Sequence, residues 1–154
     1  MIFITLILSK DFEIDTVALF DTGADLNCIK EDIIPKRFHK ATRERLSAAN
    51  NSKLKISSKV DASIPNDGFN FRTSFLLTND IHHTVILGTP FINLITPYTV
   101  GYDGIIFKMK NKKLKFSFLE KPKTRNLNII KACSVHQNQI NILIKKKQND
   151  LLYL

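Results

Sequence analysis

Tryptophan is absent from the 154 residues, and cysteine occurs twice. Cys28 and Cys133 have neither the even spacing of a disulfide framework nor a C-x-x-C metal or redox pattern, so a stapled secreted domain is excluded and a reducing compartment is expected. Long apolar runs are also missing. The opening run, Ile2 to Leu8, is seven residues long with no basic flank and no small-residue cleavage site, so it fails as a signal peptide and is too short to span a bilayer. These absences point to a soluble, intracellular protein without membrane contact. At this length a second full lobe has no room.

Apolar residues make up 44% of the chain, including 11 Phe, which is enough for a compact core and argues against wholesale disorder. The net charge of +9 permits nucleic-acid contact on composition alone, but it is unevenly spread. Met1 to Phe118 carries 16 basic and 12 acidic residues, whereas Leu119 to Leu154 carries seven basic and two acidic. The body is therefore nearly balanced, and a nucleic-acid role is not expected of it. The tail, with Lys145-Lys146-Lys147, reads as a solvated basic linker, because no aromatic residue interleaves with its charges before Tyr153.

Short β-branched segments separated by turn residues run along the body. Ile2 to Leu8 and Ile14 to Phe20 flank Ser9-Lys10-Asp11, a hairpin signal. Strands are expected at Lys53 to Ser58, Val60 to Ile64 and Phe69 to Leu77, the last two separated by the turn cluster Pro65-Asn66-Asp67-Gly68. Val85-Ile86-Leu87-Gly88 reads as a buried strand, after which Thr89 as N-cap and Pro90 start a short helix to about Ile95. A closing hairpin follows, with Ile105 to Lys110 and Lys113 to Phe118 around Asn111-Lys112, and a weaker β-prone stretch spans Ile140 to Ile144. Evenly spaced short strands favour an all-β barrel or sandwich.

The chemistry concentrates at Asp21-Thr22-Gly23-Ala24-Asp25, an acidic turn between two apolar strands. A carboxylate that polarises water works best beside a second one, so that the pair shares a proton and each member serves as base or acid. The chain has a single Asp-Thr-Gly, so a partner for Asp21 must be the same residue of a second copy across a two-fold axis. Taken alone, the tripeptide is also what an ordinary acidic turn would offer.

Ala18-Leu19-Phe20-Asp21-Thr22-Gly23-Ala24-Asp25, together with Ile86-Leu87-Gly88, resembles the paired signature of retropepsin-like aspartic proteases. Cys28-Ile29, Ile34-Pro35, the segment Ser47 to Ser52 and Leu87-Gly88-Thr89-Pro90-Phe91-Ile92 are similar to the proteases in polyproteins of plant pararetroviruses, the caulimovirus-like group. The resemblance covers Ile2 to Phe118. It implies a small closed β-barrel with a hairpin flap and one short helix, active as a homodimer, with residues 1–118 as the protease domain and 119–154 as a basic linker toward a further polyprotein segment.

It further implies that Asp21 is catalytic, that Thr22 and Gly23 build the active-site loop, and that Ala24 and Asp25 line the substrate backbone. Ala48, Ala49 and Asn50 would belong to a substrate-binding flap, Ile86, Leu87 and Gly88 would pack behind the catalytic loop, and Ile2 to Leu8 would contribute to the dimer interface. The implied substrate is a viral polyprotein, including the chain's own boundaries, in the host cytoplasm, with no metal and no cofactor. An alternative within the same fold is a binding or dimerisation module that has lost activity. Two positions depart from the retroviral pattern: Thr89-Pro90 stands where many members carry an Arg that pairs with the acidic residue matching Asp25, and Asn50-Asn51 replaces a glycine-rich flap tip.

Three features have plainer readings. His82 and His83 are adjacent, so on a strand they face opposite ways, and no other ligand has suitable spacing. Cys28 has no histidine partner indicated and reads as a small core residue. Asn50-Asn51-Ser52 matches a glycosylation acceptor, which carries no weight without a secretory signal.

Overall fold

The computed structural model describes residues 1–45 and 53–119. The expected flap residues Ala48, Ala49 and Asn50, the stretch Ile140 to Ile144 and nearly all of the proposed linker lie outside the described residues.

Alternation of buried and outward-facing side chains builds the first hairpin. Strand β1 (Ile2–Ser9) buries Ile2, Ile4 and Leu6, and β2 (Phe12–Phe20) pairs with it antiparallel from Ile2 opposite Ala18 to Ser9 opposite Phe12. Next come β3 (Cys28–Lys30), β4 (Ser58–Asn66), β5 (Phe69–Thr78) and β6 (Val85–Leu87). These six close into a barrel in the order β1-β2-β6-β3-β5-β4. Closure leaves few exposed ladder edges. β1 lies between β2 and β4, and Ile2 also bridges to Phe118, so the strand expected at a dimer interface is engaged within its own chain. Its Phe3 side chain alternates to the outside and is 50% exposed.

The β4–β5 hairpin is tighter and longer than the sequence suggests. Pro65 and Asn66 belong to the strand, and only Asp67 and Gly68 turn, at φ 48° and 89°. Two central residues with positive φ match the right-handed twist of the flanking strands, and Asp-Gly meets that demand with little strain. The separate strand expected at Lys53 to Ser58 does not form. Over that stretch the Lys55 N–H donates to the Asp80 carboxylate at 2.7 Å and the Ser57 N–H to the Leu77 carbonyl at 3.0 Å, and the strand proper begins at Ser58.

Helix α1 (Thr89–Ile95) carries Pro90 in its first turn and buries Phe91, Ile92 and Ile95, one face of a short helix. A three-stranded sheet follows, made of β7 (Tyr98–Val100), β8 (Gly104–Met109) and β9 (Lys112–Ser117). The last turn lies at Lys110-Asn111, one residue earlier than the sequence reading, again with positive φ at both positions. β7 was not anticipated; three residues with two exposed give too weak a pattern.

Aromatic contacts join this sheet and α1 to the barrel. Phe71 of β5 lies 5.6 Å from Phe107, 6.4 Å from Phe116 and 6.4 Å from Phe91, in edge-to-face arrangements. Truncating Phe71 removes the ring common to all three contacts. Phe71→Ala is expected to lower the free energy of unfolding by about 3–5 kcal/mol in urea denaturation.

Candidate active site

The parallel pairing of β2 with β6 sets Leu19 opposite Ile86 and Phe20 opposite Leu87, so the two strands end side by side. Asp21 leaves the end of β2 and Gly88 the end of β6. The Asp21 N–H donates to the Leu87 carbonyl at 2.9 Å, extending the ladder by one bond into the loop. Behind it, the half-buried Phe20 ring packs edge-on against Tyr98 at 5.2 Å, holding the start of the loop against the core.

Asp21 as a residue is half-buried, and its Oδ1 accepts the Gly23 N–H at 2.9 Å. A carboxylate held by a backbone donor two residues on has its orientation fixed by the turn itself. The Ala24 N–H closes that turn onto the Asp21 carbonyl at 3.2 Å. Thr22, Gly23 and Asp25 are exposed, and Ala24 is half-buried. A Cβ built on Gly23 would come only to 3.4 Å of Asp21 Oδ1, an ordinary contact, so nothing within one chain forbids a side chain there.

Gly88 is different. A Cβ there would approach the Leu26 carbonyl oxygen to 2.5 Å and the Ala24 carbonyl oxygen to 2.7 Å. The loop after Asp21 thus lies directly on the backbone of residue 88, an approach available only to glycine. Ile86, Leu87 and Gly88 are accordingly brought against the Asp21 turn, with Leu87 fully buried.

Thr89 does not cap α1; the N-cap is Gly88, and the Thr89 hydroxyl turns back to the loop instead. Its N–H and its Oγ1 both donate to the Ala24 carbonyl, at 2.9 and 3.0 Å. The position that departs from the retroviral pattern therefore braces the same loop through backbone and hydroxyl rather than through a guanidinium.

Asn27 carried no weight in the sequence reading, yet it is 1% exposed and fully engaged. Its Oδ1 accepts the Gly88 N–H at 2.8 Å, and its Nδ2 donates to Thr73 Oγ1 at 2.9 Å and to the Ser74 carbonyl at 3.1 Å. An amide six residues after an aspartate has no local signature; its partners come from 46 to 61 residues away.

Neighbouring groups define the surroundings. His82 is exposed and His83 half-buried. Burial holds the His83 imidazole below its ordinary range, with His82 and the N-terminal ammonium pushing the same way and Asp21 pulling against them. Cys28, the residue after Asn27, is buried beside Leu76 and Ile86 on the face of β3 opposite Ile29, and burial pushes its thiol up to about 11.

A single-lobed closed barrel whose one Asp-Thr-Gly turn is braced by an apolar-apolar-Gly strand end is the architecture of a retropepsin-like domain. Residues 3–97 match the family model described as retroviral aspartyl protease, and the chain belongs to that family. Among solved structures it is similar to the retroviral protease-like domain of Ddi1 from Leishmania major, with a TM-score of 0.53 and 14% identity over 75% of this chain and 93% of that one. A second similarity is to the protease–reverse transcriptase of prototype foamy virus, at 10% identity and a TM-score of 0.38, covering 67% of this chain and 13% of that one. No curated protein sequence matches the chain.

Two measurements test this geometry. Gly88→Ala forces a Cβ against two backbone carbonyls and is expected to cost about 1–3 kcal/mol of stability, seen as a lowered thermal midpoint. At pH 8 a thiol pushed up to about 11 is thiolate in roughly one molecule per thousand. In a Cys133→Ser background, iodoacetamide should therefore leave Cys28 unmodified in the native protein and alkylate it rapidly in urea, as read by mass spectrometry.

Proposed function

We propose that the chain is an aspartic endopeptidase that cleaves peptide bonds with a pair of Asp21 carboxylates, one from each copy of a homodimer. The observation that carries this reading is the Asp21 turn itself: a carboxylate oriented by the Gly23 N–H and mounted on paired strand ends, in a chain with one such turn. A lone carboxylate in this setting can take a proton from water but cannot at the same moment donate one to the carbonyl oxygen. Two, sharing a proton, can do both.

In the proposed cycle the charged member takes a proton from water as the oxygen attacks the peptide carbonyl carbon, and the protonated member donates to the carbonyl oxygen. The resulting gem-diol collapses as the C–N bond breaks: the carboxyl that took the water proton gives it to the amine nitrogen, and its twin takes back a proton from a gem-diol hydroxyl. No covalent acyl intermediate forms. Thr22 and Gly23 shape the loop, Gly23 leaving open the side from which substrate approaches, and Ala24 and Asp25 flank the substrate backbone together with flap residues Ala48, Ala49 and Asn50. The expected substrates are junctions of a viral polyprotein of the plant pararetrovirus kind, the chain's own boundaries among them, in the host cytoplasm; the likeness of the Leu87-Gly88-Thr89-Pro90-Phe91-Ile92 segment to that group supports the viral origin.

The test is cleavage of a polyprotein fragment at mildly acidic pH. Asp21→Asn is expected to lower the rate by on the order of 10³-fold or more, and a statine-type inhibitor to block the unmodified protein. Sedimentation should show the active species as a dimer. Cleavage that survives Asp21→Asn overturns the reading. A stable dimer that never cuts, with or without Asp21, identifies a binding module on the same fold.

A further inference from the structure

Leu87 C=O and Gly88 N–H belong to one peptide unit, and that unit is held from both sides. Its carbonyl accepts the Asp21 N–H at 2.9 Å and its N–H donates to Asn27 Oδ1 at 2.8 Å. A peptide is planar and rigid, so fixing one end fixes the direction in which the other points. Donation by the N–H also polarises the unit and makes its carbonyl a better acceptor. What Asn27 does to Gly88 therefore reaches the backbone of Asp21 through a single rigid group.

The Asn27 side chain is itself immobile. Gly88 N–H can only donate and the Ser74 carbonyl can only accept, so the carboxamide has one allowed orientation, with oxygen toward Gly88 and nitrogen toward β5. The Thr73 hydroxyl takes the second Nδ2 proton, and the Asn27 carbonyl accepts the Leu76 N–H at 2.9 Å. Burying such a group in a place where a leucine would fill similar volume is costly unless every polar atom is paired, and here the amide is paired to two separate segments, β5 and the end of β6. Packing alone does not call for an amide at this position.

We propose that Asn27 is a positioning residue for the peptidase reaction: by locking the Leu87–Gly88 peptide against β5 it sets the backbone of Asp21 and hence the direction of its carboxylate. This rests on the assignment of Asp21 as the reacting group. In a dimer the effect acts twice, because each carboxylate must meet its twin in one geometry.

The test uses the full chain with Asn27→Ser, Asn27→Asp and the milder Thr73→Val, each assayed where circular dichroism and sedimentation match the unmodified protein. With Asn27→Ser, kcat on a junction peptide is expected to fall by about 10- to 100-fold while KM stays within about threefold. Asn27→Asp keeps an acceptor for Gly88 but sets a buried carboxylate oxygen against the Ser74 carbonyl, so it too should lower kcat, and Thr73→Val should lower kcat least. Amide hydrogen exchange supplies a readout independent of cleavage: the Asp21 and Gly88 N–H groups should exchange together and faster in Asn27→Ser. Asp21→Asn is run beside these, so a failure of the peptidase assignment is seen separately. The proposal is overturned if folded Asn27→Ser keeps kcat within about twofold, if it loses rate only through a raised KM or lost association, or if Asp21 exchange is unchanged.

Discussion

The Asp21 N–H to Leu87 carbonyl bond is the contact on which the site depends, because it converts the pairing of two strands into the position of a carboxylate. β2 and β6 are parallel, and parallel neighbours place their C-terminal ends at the same edge. One residue past that edge the chain carries an aspartate on one side and a glycine on the other. The barrel, the helix that follows Gly88 and the phenylalanine cluster beneath Phe71 all keep these two ends in register.

Around that bond the loop is supported at three depths. Closest is the Gly23 N–H on the carboxylate itself, then the Ala24 carbonyl held twice by Thr89, then Asn27 reaching from the loop's far end to Gly88 and β5. The missing Cβ at residue 88 lets these layers lie against one another. A small barrel of this kind has little bulk with which to stiffen a loop, so hydrogen bonds between backbone segments take over the task that a larger domain assigns to packing.

Much of this was legible in the sequence. Short β-branched segments parted by turn residues gave the first hairpin and β4–β5, Val85 to Leu87 stood out as a buried strand, and Asp21-Thr22-Gly23 with Ile86-Leu87-Gly88 pointed to the family that the chain belongs to. What stayed hidden depends on distant partners. Thr89 followed by Pro90 has the pattern of an N-cap, and only the close approach of Ala24 diverts its hydroxyl. Asn27 looked like any polar residue at a strand entrance. Lys53 to Ser57 has strand composition, but its N–H groups find Asp80 and Leu77 instead of a ladder.

The replacement of a guanidinium by the Thr89 hydroxyl has a consequence for how the loop responds to its medium. Among the described residues, the bonds that tie Ala24 and Asn27 to the end of β6 join amides, carbonyls and a hydroxyl, none of which changes charge between mild acid and neutrality. Added salt has no ion pair to screen there, and acid has no carboxylate to neutralise in the brace. The bonds that mount the loop on the end of β6 are in this sense electrically inert, and neither added salt nor mild acid removes a charge from them.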